Sequence, residues 1–251
     1  MTERQDLPAG RFSTWLRRTR DAQVDDSGAD VPCGECIACC RSSYFIHVAP
    51  EESQTLARIP GELLFPATGL PKGNVVLGYD EDGRCPMLHD DACSIYEHRP
   101  LTCRTYDCRV FAAAGVEADR AEIAQRARRW KFSYAAEEDR EQHAAVQAAA
   151  RFLREHADCF PGEGAPDDPT QVALLAIKVY EVFLEHGEES DKAGRASSDA
   201  GVARAVVEAN EKFEAGRSTL RVDPTRADRP IPAGPGSDGA EGTGHSEEDR
   251  P

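Results

Sequence analysis

The sequence predicts an α+β protein: a small cysteine-cluster module with a short β-hairpin, then a mainly helical C-terminal half and a disordered tail. Three observations predict it. Eight of the 9 cysteines fall between positions 33 and 108, among Gly, Pro and short apolar runs. Apolar residues recur at helical spacing through 136–157 and 169–186. From about 218 onward Pro, Gly, Asp and Arg dominate and large apolar side chains nearly vanish, a composition that cannot build a core. The boundaries that follow are 1–30 for an N-terminal helix and linker, 31–115 for the cysteine module, 116–216 for a helical region and 217–251 for the tail.

Taken in order, residues 11–23 suit a short helix with Phe12, Trp15 and Leu16 on one side, followed by a polar loop to Asp30. YFIHV (44–48) reads as a buried strand. Pro50-Glu51-Glu52 then opens a helix through Ile59, with acids at its positive end. Gly and Pro make 60–74 a loop. Val75–Tyr79, the turn Asp80-Glu81-Asp82-Gly83 and Arg84–Leu88 form the expected hairpin, with Cys85 on its return strand. Helical turns are expected at Ser94–Glu97 and Pro100–Val110. Good helix formers fill 117–133, ending in Trp130-Lys131-Phe132. The segment 136–157 is helical, with Val146, Ala149, Phe152 and Leu153 in register, and breaks at 159–168. Asp168-Pro169 supplies an N-cap and first-turn pair for the next helix, with Lys178, Glu181 and Glu185 on its wet face and Leu175, Val179 and Val182 opposite. A further helix is expected over 199–215.

Composition removes several functional classes. The longest strictly apolar run, Val172 to Ile177, is far too short for a membrane span. The N-terminal MTERQDLPAG is charged and lacks the apolar core of a secretory signal, so a cytoplasmic location is expected. Against 45 Asp and Glu stand 30 Lys and Arg, a formal net charge of -15, which disfavours generic adhesion to nucleic acid. The acidic excess is spread along the chain and reads as solubility rather than a partner's footprint.

The cysteines carry the chemistry. Cys33-Gly34-Glu35-Cys36-Ile37-Ala38-Cys39-Cys40 is separated by 44 residues from a second block, Cys85-Pro86, Cys93, Cys103 and Cys108. In a reducing cytosol such a set exists as thiols or thiolates, so metal ligation by Cys33, Cys36, Cys39, Cys40, Cys85, Cys93, Cys103 and Cys108 is the economical reading. Two cysteines two residues apart can turn both sulfurs to one centre, and Gly34 tolerates the tight loop this needs. Adjacent Cys39 and Cys40 are harder to place on one tetrahedral ion; they serve two neighbouring sites or leave one thiol free. Eight thiolates satisfy two zinc ions, or give four ligands to an iron–sulfur centre such as a 4Fe–4S cluster with four left over. Spacing alone does not choose between zinc and iron.

These blocks resemble a known family. CGECIACC with CPML, CSIYEHRP and CRTYDC is similar to the YkgJ-type CxxCxxCC family, described as zinc- or iron-chelating cysteine-cluster proteins. The matching positions are Cys33, Cys36, Cys39, Cys40, Cys85, Pro86, Cys93, Ile95, Tyr96, Arg99, Pro100, Cys103, Arg104 and Tyr106, with Cys108 just beyond the pattern. The resemblance implies metal binding. It extends to flagellin lysine N-methylases, which implies an enzyme as one alternative.

Around the cluster, Arg99 and Arg104 either offset thiolate charge or pair with Asp90, Asp91 or Asp107. Tyr96 and Tyr106 read as packing residues. His47, His89 and His98 could each replace a cysteine, and Cys159 reads as a bystander. Arg126-Ala-Arg-Arg-Trp-Lys131 reads as a solvated helix face rather than a nucleic-acid contact, because Glu137, Glu138 and Asp139 follow closely. No phosphate-cradling loop, dinucleotide fingerprint or nucleophile elbow is present, so no reaction type emerges. The expected partner is a metal ion. A thiol redox sensor is the remaining alternative.

Overall fold

The computed structural model describes residues 5–25, 31, 33–161, 165–184 and 198–221. Its helices and strands form two hydrophobic cores of unequal size; Cys39 and Cys108 pack on the larger and Cys85, Cys93 and Cys103 on the smaller.

The larger core is helical. Strand β1 (Leu7–Arg11) leads directly into α1 (Phe12–Asp25), whose Phe12, Trp15 and Leu16 are buried as their spacing requires. Helices α4 (Arg109–Ala114), α6 (Glu137–Glu155) and α7 (Pro169–Val179) pack on one another and against α1. Their contact faces are lined with Ala113, Ala114, Ala145, Ala149, Ala150, Ala173 and Ala176, all buried. Small side chains let helix axes approach closely, so a core poor in aromatics still fills its space. Helix α8 (Asp199–Arg221) covers α1 and α7.

Helix α7 begins as the sequence indicates, because the Asp168 side chain accepts from the Gln171 amide at 2.9 Å and Pro169 opens the first turn. Its regular turns stop at Val179; a further helical turn spans 181–184 after Tyr180, and the remainder of the expected helix lies outside the described residues. The wet face differs from expectation. Lys178 is only 19% exposed, pairs with Glu214 at 2.5 Å and sits 5.6 Å from the Phe213 ring, because α8 lies over that side. Leu175 is only half-buried, whereas Val179 and Val182 are buried.

Two strands of this core lie where helix or linker was expected. Trp130–Ser133 is β7, not a helix end, and pairs in parallel with β1 in the register Leu7↔Trp130 and Arg11↔Ser133. Asp139 fastens this joint. Its buried carboxylate accepts from the Ser13 amide at 3.0 Å, from Ala135 and Ala136 at 2.8 Å, and from Arg11 Nε at 3.0 Å. One side chain thereby satisfies free amides at the starts of both α1 and α6. Burial works against its charge, but these donors hold the carboxyl well below the usual range.

The smaller core is a three-stranded antiparallel sheet, ordered β2–β4–β3, formed by β2 (Ile46–Val48), β3 (Leu64–Pro66) and β4 (Val75–Leu77). Ile46, Val48, Ile59, Leu77, Met87 and Ile95 are its buried side chains. The strand expected at 44–48 starts only at Ile46, and Phe45 remains 63% exposed. The helix expected from Pro50 is reduced to α2 (Ser53–Leu56). Glu52 is diverted from that helix: it accepts from the Ala49 and Leu101 amides and so caps α3 (Leu101–Thr105). Part of the loop expected at 60–74 is the edge strand β3, where terminal Pro66 is tolerated.

The expected hairpin of Val75–Tyr79 with Arg84–Leu88 does not form. The Asp80–Gly83 turn closes, with Asp80 N donating to Arg84 O at 2.8 Å, but both edges of β4 are already taken by β2 and β3. The module's hairpins are instead β3–β4 and the two-residue pair β5 (Leu88–His89) with β6 (Ala92–Cys93). Pro100–Val110 is split into α3 and α4 at Tyr106-Asp107-Cys108. Helix α8 runs to Arg221, past the expected start of the tail; the rest of that tail, 222–251, lies outside the described residues, as do 26–30 of the expected polar loop.

Candidate metal centre

Each cysteine is placed by local chemistry. Cys36 N donates to Cys33 O at 3.0 Å, closing the first tight loop, and Gly34 takes φ +54 within it. Cys39 and Cys40 then sit on a one-turn 3-10 helix, Cys39–Arg41, where consecutive side chains point about 120° apart. The β5–β6 turn is made by Asp90 and Asp91, both at positive φ (48 and 58), the pattern of a type I′ hairpin, and it sets Cys93 opposite Leu88. Leu88 N donates to Cys85 O at 2.9 Å, so Cys85 and Cys93 belong to one folded knuckle. Cys103 lies on α3, held to β2 by the Thr102 hydroxyl on His47 O at 2.8 Å. Cys108 occupies the position before α4.

All eight line one largely apolar cavity of about 460 Å³, and they fall into two groups of four. Cys39 and Cys108 pack on the helical core; Cys85, Cys93 and Cys103 pack on the small sheet core. The Cys39 thiol is pushed up by burial and then by Cys108, Cys33 and Cys36, in that order. Cys40 is pushed up to about 12 by burial, then by Cys85 and Cys93 before Cys33 or Cys36. Cys103 is raised by burial and then by Cys40, Cys85 and Cys93. Cys108 is raised to about 11, and the cysteines that act on it are Cys36 and Cys33. By that ordering Cys33, Cys36 and Cys108 neighbour Cys39 and make a first group, while Cys85, Cys93 and Cys103 neighbour Cys40 and make a second. The adjacent pair at 39 and 40 divides between them.

Among the described residues, the only three or more His, Cys, Asp or Glu ligand atoms mutually within 4.8 Å are those of His156, Cys159 and Asp199, none of which belongs to this cavity. One zinc ion with four bonds of about 2.3 Å would draw its sulfurs to about 3.8 Å from each other. Eight thiolates in an apolar cavity suit either metal chemically.

Two residues outside the cysteine pattern shape the first group. The Trp130 indole donates to Cys108 Sγ at 3.2 Å, and Arg126 lies 5.0 Å over the Trp130 ring. Arg126 also draws down the Cys33 thiol against a net rise caused chiefly by burial, and its Nε is buried without a hydrogen-bond partner. The expected solvated face at 126–131 thus has Arg126 and Trp130 turned to the cavity. Its signal in the sequence was an aromatic residue, Trp130, directly after an Arg-rich run. Arg99 stacks on Tyr96 at 4.1 Å, and its charge opposes the burial that raises both Cys33 and Cys103, so it serves both groups. Two of the acids expected near Arg99 and Arg104 pair with other residues: Asp91 with Arg41, and Asp107 with Arg109 at 2.7 Å and the Trp15 indole at 2.9 Å. His47, His89 and His98 do not line the cavity, and His47 bonds Asn74 at 2.8 Å.

These features define a cysteine-cluster domain. Residues 32–129 match the family model CxxCxxCC, described as "Putative zinc- or iron-chelating domain". The match ends one residue before Trp130. No curated protein and no solved structure matches the chain. Among the described residues, no helix is long and apolar enough to cross a membrane.

Proposed function

We propose that this chain holds iron as two iron–sulfur clusters, one on Cys33, Cys36, Cys39 and Cys108, the other on Cys40, Cys85, Cys93 and Cys103. The observation that carries this reading is the divergence of the adjacent pair: Cys39 packs on the helical core with Cys108, while the carbonyl of Cys40 accepts from the Cys85 amide. Eight thiolates lining one largely apolar cavity support iron–sulfur clusters chemically. Such clusters supply one-electron chemistry when bound. The chain's own residues then hold the thiolates, exclude water with the apolar wall of Ile37, Ile46, Leu77, Met87 and Ile95, and offset negative charge with Arg99 and Arg126. Because Cys39 and Cys40 are consecutive, the two sites lie side by side, which suits passage of an electron from one to the other.

The boundaries 31–115 and 116–216 fit this reading as a metal-holding module and a helical support. Trp130 and Arg126 extend the working unit into the support. Anaerobic purification with metal and acid-labile sulfide analysis tests the proposal. A brown protein absorbing near about 400 nm with sulfide matching its iron is expected. A colourless protein holding about two zinc ions would overturn it.

A further inference from the structure

At the far side of the helical core, three metal-ligating side chains from three segments converge. His156 ends α6, Cys159 closes the single 3-10 turn Ala157–Cys159, and Asp199 begins α8. The turn is shut by Cys159 N donating to His156 O at 3.0 Å, which brings together the two ligands of a His-x2-Cys spacing. The imidazole lies flat on the Phe152 ring at 4.6 Å, fixing its plane. Ser198 donates no ligand; its hydroxyl accepts from the Gly201 amide at 3.3 Å and caps α8, which leaves the Asp199 carboxylate free to face His156.

The three ligand atoms all lie within 4.8 Å of one another, a closeness that the eight clustered cysteines do not reach. His156 Nδ1 and Asp199 Oδ2 are 3.4 Å apart. That is longer than an ordinary N–H···O bond of about 2.9 Å. It equals the edge of a tetrahedron whose ligands stand about 2.0–2.1 Å from zinc. The donor set is one nitrogen, one sulfur and one oxygen, suited to zinc and unsuited to an iron–sulfur cluster. Side-chain exposures of 33% for His156 and 59% for Asp199 leave room for water as a fourth ligand.

We infer that His156, Cys159 and Asp199 form a separate single-ion zinc site that ties the first turn of α8 to the end of α6. On binding, the Cys159 thiol gives its proton to solvent and the thiolate bonds zinc; with Asp199 the two negative charges balance the ion. Helix α8 covers α1 and α7, so the ion controls how firmly that cover is held. This inference is independent of which metal fills the eight cysteines.

The test is equilibrium dialysis of the purified full chain against micromolar zinc, with Cys159→Ser and His156→Gln beside it. Wild type should hold one zinc per chain more than either variant, and each variant should bind that zinc about a hundredfold more weakly. Hydrogen exchange should slow over the first turns of α8 when zinc is added to wild type, and not in the variants. Equal zinc content in wild type and both variants, or unchanged exchange in α8, would overturn the proposal.

Discussion

The backbone amide of Cys85 donates a 2.7 Å hydrogen bond to the carbonyl of Cys40, joining the two cysteine blocks at the backbone as well as through any shared metal. This bond takes the amide that a hairpin with β4 would need, and Pro86 has none to offer in its place. The Asp80–Gly83 turn therefore delivers Cys85 sideways to Cys40 instead of back along the sheet.

Gly83 is the weak point of that delivery. It adopts φ +76, and a Cβ there would lie 2.2 Å from the Ser43 hydroxyl. Gly83→Ala should cost about 1–2 kcal/mol from the backbone alone, and more if Ser43 cannot turn away. Thermal unfolding should fall by about 4 °C or more, and metal should leave the Cys40 group faster than the Cys33 group.

Trp130→Phe keeps the ring under Arg126 and removes the N–H that reaches Cys108. Loss of such an outer-sphere donor commonly weakens metal retention about 10–100-fold. Release of metal to a chelator should be biphasic in this variant, with only the faster phase changed from wild type. A tryptophan that merely packs would give a general loss of stability instead.

The metal-free chain should lose stability in alkali. Cys39, Cys40, Cys103 and Cys108 all have folded-state pKa values raised above the ordinary thiol, chiefly by burial. Their contribution is complete below the unfolded value of about 8.5 and is lost as pH rises through the folded values. Denaturant midpoints of the metal-free protein should fall between pH 8.5 and pH 11, while the loaded protein, whose thiolates are already charged, should change little. The same protons must leave on loading, so metal uptake should steepen with rising pH.

Asp139 has the opposite sign. Its folded carboxyl lies well below the usual range, so its contribution is complete above the unfolded value of about 3.9 and is lost as pH falls toward the folded one. Asp139→Asn should be less stable than wild type at neutral pH, and the difference should shrink below about pH 4. Unfolding midpoints of both proteins from pH 7 to pH 2 check this.

Local chemistry was legible in the sequence. Phe12, Trp15 and Leu16 marked the buried side of α1, Asp168-Pro169 marked the start of α7, and the spacing of Val146, Ala149 and Leu153 marked α6. What escaped depended on partners distant in the chain. LPAGR (7–11) and WKFS (130–133) become strands only because they pair with each other across more than 100 residues. Nothing local to Val75–Leu77 shows that both its edges are taken. The eight cysteines were visible as a set and their adjacent pair as a difficulty, but not that Cys39 and Cys108 pack on one core and Cys85, Cys93 and Cys103 on the other. Trp130 entered the site from a stretch that read as helix surface.

The most direct measurement is iron and acid-labile sulfide per chain in wild type, Cys39→Ser, Cys40→Ser and the double variant, all reconstituted anaerobically. Two separate clusters require about eight irons in wild type, about four in each single variant and almost none in the double. If either single substitution empties the protein of iron, or if wild type holds only four, the division of Cys39 from Cys40 into two sites is wrong.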